Sequence, residues 1–394
     1  MMPEREPIIC PVCEAETVEH FAEIFQVPVF CNVLWTTRDE AVNVPRADLR
    51  LGFCRTCGHI HNSAFDPSLI EYTPAYENAL DFSPRFRQYV DELSDHLLEK
   101  YHLYEKTIIE IGCGKGDFLR MLCRKGRSKG IGFDPSYELG LSAEGEADIT
   151  IIQDLYTERD AHHEADFICC RHVLEHVQHP TGFMSLVRRT LGERRDSAVF
   201  FEVPNVRSIL QDGAVWDLIY EHCSYFSSTS LAYLFRRCGF AVCDASEAFG
   251  GQYLCIEALP GKVEGRSHSG ASELTKMTRE IQAFARGHER KIEAWRLAIE
   301  EIGQSEQRAV IWGAGSKGVT LSNVLNAQEY VEHVVDINPR KQGMYVSGTG
   351  QQIMPPAFLQ SYRPDVIILT NPIYEDEIRA HTRSLGLAPT FVTA

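Results

Sequence analysis

The chain has no apolar run approaching the roughly 20 residues that cross a bilayer, which excludes an ordinary membrane-spanning helix. Positive charge is also scarce: 39 Lys and Arg stand against 55 Asp and Glu, a formal net charge of −16. So acidic a surface repels phosphate backbones, and a nucleic-acid partner is excluded on that ground. The opening residues, MMPEREPIIC, lack the apolar core of a secretory signal, so a cytoplasmic protein with no membrane partner is expected. Disulfides are rare in that compartment. The thirteen cysteines must then be metal ligands, reactive thiols or small buried hydrophobes. What is present is ordinary for a soluble globular chain: 44% hydrophobic and 24% charged residues. The 394 residues correspond to two or three domains at about 100–200 residues each.

Four cysteines form a pattern. Cys10-Pro-Val-Cys13 and Cys54-Arg-Thr-Cys57 are two C-x-x-C knuckles with forty residues between them. A two-residue gap lets both thiolates of one turn face one ion, and two such turns complete a tetrahedral zinc site. The spacer exceeds the usual ~15–20 residues, so an inserted loop is expected. Gly58 suits the tight turn after the second knuckle. Four thiolates leave zinc no open position, so a structural role follows. Cys31 is then surplus to the site. The alternation in Gly58-His59-Ile60-His61 reads as a strand rather than as further ligands.

From about Lys106 strands and helices alternate. The strand Thr107-Ile-Ile-Glu-Ile runs into Gly112-Cys-Gly114-Lys-Gly116, and a helical run begins at Asp117. Glycines at a strand-to-helix turn let the backbone approach a ligand closely. The order Glu110-x-Gly112-x-Gly114-x-Gly116 is similar to that of methyltransferases using S-adenosylmethionine. In such a site Glu110 accepts from the cationic amino-acid part of the cofactor. Asp134, ending the second strand, is placed to accept the ribose hydroxyls, and Asp154, after the strand Ile149–Ile152, faces the adenine amino group. His172-Val-Leu-Glu175-His176 matches the inverted zinc-protease motif H-x-x-E-H. It follows the fourth strand, Phe167-Ile-Cys169-Cys170, where methyltransferases carry a similar stretch beside the cofactor, so no metal is required there. The two strand cysteines are read as buried hydrophobes. A fifth strand from Ala198 ends at Pro204-Asn205.

The segment Trp216-Asp-Leu-Ile-Tyr220-Glu221-His222-Cys-Ser-Tyr225 is dense in acid–base groups and reads as a loop. His222 titrates nearest neutrality, and an adjacent Glu221 would raise its basicity. Tyr220 and Tyr225 are candidate donors to a developing oxyanion. Ser227-Ser-Thr-Ser opens a helix.

Taken together and in this order, the zinc knuckles, the methyltransferase core, the Glu-His-x-Ser-Tyr-Phe-Ser segment and the C-terminal domain resemble the zinc-containing sugar C-methyltransferases, from Cys10 to about Ile378. The resemblance implies methylation of the third carbon of a nucleotide-linked 4-keto-deoxysugar. His222 would remove the proton beside the ketone, the enolate would take the methyl group, and Glu221 and nearby tyrosines would assist. Two departures stand out. Tyr220 replaces a histidine of the family pattern. In Tyr76-Glu-Asn78-Ala-Leu-Asp-Phe-Ser83 the tyrosine is kept, while Asn78, Leu80 and Asp81 replace an aromatic and two hydroxyls near the substrate of relatives.

Leu274, Met277, Ile281, Phe284, His288, Ile292, Trp295, Ile299 and Ile302 recur at helical spacing, one long amphipathic helix beyond a linker containing Gly261, Gly265 and Gly270. Gly313-Ala-Gly315-Ser-Lys-Gly318 then has true dinucleotide spacing, and Asp336 closes the strand expected from Val331 to Val335. The unit is too short for a complete dinucleotide fold, and in the resembling family it encloses the nucleotide-sugar instead. Lys317, Arg340 and Lys341 are the cations expected to meet a substrate diphosphate.

The resulting expectation is an α/β protein. A class I methyltransferase Rossmann-like core (71–265) lies between an N-terminal zinc-binding module (1–70) and a linker helix with a C-terminal Rossmann-like domain (266–394). It would act on a small molecule as a monomer or homodimer. The alternatives are an O- or N-methyltransferase of another polar metabolite, and an NAD-dependent sugar-nucleotide oxidoreductase or epimerase built on the second glycine loop.

Overall fold

A computed structural model describes residues 8–71, 73–138, 148–261 and 270–394. Most of the expected linker, Gly265 included, lies outside them, as do the first seven residues. Among the described residues no helix is long and apolar enough to cross a membrane.

The front of the chain is antiparallel. Strand β1 (Val18–Pro28) pairs with β2 (Arg46–Cys54), and β2 with the short β3 (Ile60–Asn62). The alternation around Ile60 is therefore a strand, as its period indicated. Next come β4 (Thr107–Ile111), β5 (Lys129–Phe133), β6 (Ile149–Ile152), β7 (Phe167–Arg171) and β8 (Ala198–Pro204), all parallel. Their interiors are continuous apolar runs because helices cover both faces. After a two-residue strand β9 (Ser224–Tyr225), the hairpin β10 (Phe240–Ala248) and β11 (Tyr253–Pro260) completes a sheet of order β10-β11-β8-β7-β4-β5-β6. Strand β11 runs antiparallel to both neighbours. The order reverses at β4, and crevices at such reversals, outside the carboxyl ends of strands, hold ligands.

Strand β9 belongs elsewhere. It pairs with β3, Ile60 opposite Tyr225 and His61 opposite Ser224, so the segment expected as a loop is partly the edge of the front sheet. The reason is long-range: β3 is too short to satisfy its outer backbone groups alone, and a pairing across 165 residues leaves no local periodicity to read.

The long helix is present as Gly270–Gln304. Beyond it β12 (Ala309–Trp312), β13 (His333–Val335), β14 (Gln352–Met354), β15 (Val366–Leu369) and β16 (Thr390–Thr393) form a parallel sheet of order β14-β13-β12-β15-β16. Strand β13 starts two residues later than expected because the Val331 N–H still closes the preceding turn on the Ala327 carbonyl. One buried cluster runs through all three regions: Leu49, Leu51 and Phe53 of β2, Trp216 and Tyr220, Met277 and Phe284 of the long helix, and Ile311 of β12.

Candidate active site

Gly58, at φ 78°, turns the chain after the second knuckle. The four knuckle cysteines converge, with the sulfurs of Cys10 and Cys57 3.6 Å apart and those of Cys13 and Cys54 3.4 Å apart. All four lie within 4.8 Å of one another. Four thiolates at about 2.3 Å from a tetrahedral zinc would be about 3.8 Å apart, so this donor set fits that ion. Cys31 lies elsewhere, its N–H donated to Glu221 Oε2 at 2.9 Å. His59 and His61 stack on one another, and His59 reaches Ser224.

The first glycine loop stands at the β4 reversal. Gly112 has φ 72°, and a Cβ there would lie 2.0 Å from Val173 Cγ2, so only glycine allows this approach. Asp134 follows β5, and its Oδ2 accepts the Gly114 N–H at 2.7 Å. Glu110 is fully enclosed at the end of β4. Burial raises its pKa to about 8 against the pull of Arg171 and the Leu119 N–H. Its Oε2 has no hydrogen-bond partner. An orphaned buried carboxylate oxygen beside an open glycine loop suits a cationic ligand group, and the residues present fit the amino-acid end of S-adenosylmethionine. Asp154 follows β6 and stands largely in solvent.

His222 lies near the carboxyl end of β7. Its ring meets His176 edge to face at 4.9 Å between centroids and Tyr225 at 6.0 Å. Burial, together with the nearby His176 and His172, lowers its pKa well below the ordinary value. The imidazole is therefore neutral at pH 7. The expectation that Glu221 raises its basicity is corrected: the Glu221 carboxylate turns away to the Cys31 N–H and the Tyr76 hydroxyl, and burial lifts its own pKa to about 7. Tyr76 and Glu221 are thus together.

The two other tyrosines depart from the oxyanion expectation. Tyr220 is buried, and its hydroxyl accepts the Asp66 N–H at 2.7 Å, stitching this segment to the turn after β3. The Tyr225 hydroxyl donates to the Ile219 carbonyl at 3.0 Å, inside its own turn. Both hydroxyls are engaged in the framework.

The candidate substrate residues are spread out. Asn78 is exposed. Lys317 is held by Asp217 at 3.0 Å. Arg340 pairs with Glu77 at 3.1 Å. Lys341 is buried, donates to the Ala314 carbonyl at 3.1 Å, and lines a small crevice with Cys31, Asn32, Tyr345 and Ser347. In the second glycine loop Asp336 accepts the Ala314 N–H at 2.7 Å, just as Asp134 does in the first.

Sequence reasoning missed a charged group at the ends of β7 and β8. Glu202 holds Arg171 at 2.9 Å, His172 at 2.9 Å and the Tyr89 hydroxyl. Burial alone would raise the Glu202 pKa, yet the charges of Arg171 and His172 and the hydrogen bond from Tyr89 bring it down to about 2. For His172 burial opposes the charge, but Glu175 and Glu202 outweigh it and raise the pKa to about 9. A signal existed: Arg171 and Glu202 are charges set in otherwise apolar strands.

A methyltransferase-domain family model matches residues 83–245, and a model of the C-methyltransferase C-terminal domain matches residues 267–392. The C-methyltransferase NovU of Streptomyces niveus is 24% identical over 309 residues, 74% of this chain and 72% of that one. Among solved structures, a Burkholderia thailandensis 1,6-didemethyltoxoflavin N1-methyltransferase with bound S-adenosylhomocysteine is 13% identical, with a TM-score of 0.36 over 44% of this chain and 79% of its own. Magnesium protoporphyrin IX methyltransferase of Synechocystis, also with that product bound, is 15% identical, with a TM-score of 0.36 over 45% of this chain and 84% of its own. With a glycine loop and buried Glu110 at the reversal of the larger sheet, and with a methyltransferase-domain model over most of that sheet and a C-methyltransferase C-terminal-domain model over the last one, the chain is an S-adenosylmethionine-dependent methyltransferase that carries a C-methyltransferase C-terminal domain.

Proposed function

We propose that this enzyme methylates the carbon beside the ketone of a nucleotide-linked deoxysugar, with His222 as the base. The observation that carries the reading is the neutral imidazole of His222. A base must hold a free lone pair at working pH, and burial supplies that condition. His222 would take the proton from the carbon next to the ketone. Tyr76, hydrogen-bonded to Glu221, would donate to the oxygen as it gains charge, and a Glu221 that titrates near neutrality can share that proton. Bound S-adenosylmethionine supplies an electrophilic methyl group. Glu110 would orient it through the amino group, Asp134 through the ribose and Asp154 at the adenine, with the Gly112, Gly114 and Gly116 backbone alongside. Cys10, Cys13, Cys54 and Cys57 would hold a structural zinc ion. Arg340, Lys341 and Lys317 are proposed to meet the diphosphate. Three units divided near residues 70 and 265 would carry these parts.

The test is a set of nucleotide-linked 4-keto-deoxysugars in deuterated water. Washout at the carbon beside the ketone is expected in the wild type and a loss of about 10²–10⁴-fold in His222→Asn, with S-adenosylhomocysteine affinity kept. Undiminished washout in the variant removes His222 as the base. Methyl transfer to oxygen or nitrogen of the same sugars would replace the carbon assignment.

A further inference from the structure

Glu175, His176 and His222 present a carboxylate oxygen and two imidazole nitrogens within 4.8 Å of one another. Glu175 and His176 lie on the turn Leu174–His176 after β7, and His222 on the turn before β9. Two atoms of this cluster, Glu175 Oε2 and His222 Nδ1, are buried and have no hydrogen-bond partner. Buried polar atoms are nearly always satisfied, so two orphans among three converging residues call for a shared partner. Both carry or can carry a lone pair, which makes a cation that partner.

The outer contacts agree. His176 Nδ1 lies 2.9 Å from the Glu221 carbonyl oxygen. A carbonyl only accepts, so Nδ1 bears the proton and Nε2 keeps its lone pair. Metal-ligating histidines have this arrangement, the second ring nitrogen donating to a backbone carbonyl or carboxylate. The other Glu175 oxygen is steadied by His172 Nδ1 at 3.5 Å. His172 itself is not a ligand: at φ 55° its ring turns to Glu202. The set therefore differs from the pair of histidines that the H-x-x-E-H spacing offers.

We infer that Glu175, His176 and His222 form a site for a first-row divalent transition-metal ion, distinct from the four-cysteine cluster. An ion there occupies the lone pair that His222 needs for proton abstraction, so metal binding and base catalysis exclude each other. That consequence rests on the base reading above; the site itself does not. Two imidazoles and one carboxylate suit Zn²⁺, Co²⁺, Ni²⁺ or Fe²⁺, whereas Mg²⁺ and Ca²⁺ favour all-oxygen shells. Ligands at about 2.1 Å from an ion stand about 3–3.5 Å apart, a spacing that side-chain torsions reach from atoms already within 4.8 Å of one another.

The full chain, dialysed against a chelator too weak to strip four thiolates, is titrated with Co²⁺ and followed by visible absorption. One cobalt per chain is expected beyond the metal already held, with weak d–d bands and no new thiolate charge-transfer band. Its affinity should fall about tenfold or more in both Glu175→Gln and His176→Gln, with the cysteine-bound metal retained in each as the check of folding. No additional cobalt, a thiolate charge-transfer spectrum, or undiminished uptake in a folded variant overturns the site. Bound cobalt should also suppress deuterium washout in proportion to occupancy, and full washout at saturation overturns the exclusion. If no substrate shows washout even without cobalt, the base reading falls and the exclusion with it, while the cobalt count still decides the site.

Discussion

The Glu77 carboxylate lies 3.1 Å from the Arg340 guanidinium, joining residues 263 positions apart in the chain. The same buried carboxylate pairs with Lys115 of the first glycine loop and accepts from the Asn338 amide at 3.0 Å. One side chain thus ties the first glycine loop to the loop that follows Asp336.

Glu77→Gln leaves Lys115 and Arg340 without their shared carboxylate. Arg340 is half in water and recovers part of its solvation, whereas Lys115 is more enclosed. A loss of about 1–3 kcal/mol is expected, read as a lower urea midpoint at unchanged slope. An unmoved midpoint would mean that the pairing contributes nothing.

The proposed place of Glu110 at the amino group of the cofactor would link binding to protons. The pKa of this carboxyl, raised by burial to about 8, lies above the ordinary 4.5, so the contribution of Glu110 to the stability of the free protein is fully present below about 4.5 and is lost as pH rises through 8. A cationic amino group beside it favours the carboxylate. Binding of S-adenosylmethionine at pH 7 should therefore release a proton, seen as a binding enthalpy that varies with the ionisation heat of the buffer. Glu110→Gln should abolish that variation.

For His172 the folded pKa of about 9 lies above the ordinary 6.5. Its contribution, on the order of 3 kcal/mol, is present below about pH 6.5 and is lost as pH rises through 9. Asparagine tolerates the left-handed backbone at this position. His172→Asn should flatten the fall of urea midpoint between pH 6.5 and 9, and an unchanged slope would assign that fall to other groups.

Tyr220→Phe removes the acceptor of the Asp66 N–H and strands that donor. A destabilisation of about 1–2 kcal/mol with methyl transfer reduced less than about threefold marks a framework hydroxyl. A loss of a hundredfold or more would return Tyr220 to the chemistry.

Cys57→Ser replaces a thiolate with a poor zinc ligand. Metal analysis should show the loss of one zinc per chain, accompanied by a lower melting temperature, since the cysteines belong to the same buried cluster as Phe226 and Leu231 of the core. Zinc retained at full stoichiometry would contradict a four-thiolate site.

Much of this was legible in the sequence because it is local. Each knuckle is four residues long, the first glycine loop with Glu110 spans seven, and the apolar runs of β4, β7 and β8 show buried strands directly. Strand ends and caps followed, as at Ser227, whose side chain caps the helix Ser228–Arg237 through a box with Ser230. The site was legible only as a set of candidate residue types. Adjacency in sequence suggested that Glu221 supports His222, yet consecutive side chains point apart, and Glu221 reaches Cys31 across 190 positions.

By itself the sequence determined the α/β class, the converging cysteines and the loop where a cofactor can approach, because short-range spacing and backbone sterics are enough for each. Tertiary structure alone decided what every ionisable group does. Burial took His222 to its neutral form and Glu110 to a high pKa, the Ala64–Asp66 turn consumed the Tyr220 hydroxyl, and the pairing of β9 with β3 set His222 beside His176. Charge state depends on solvent exclusion and on neighbours brought from distant segments, and neither is encoded within any single stretch of chain.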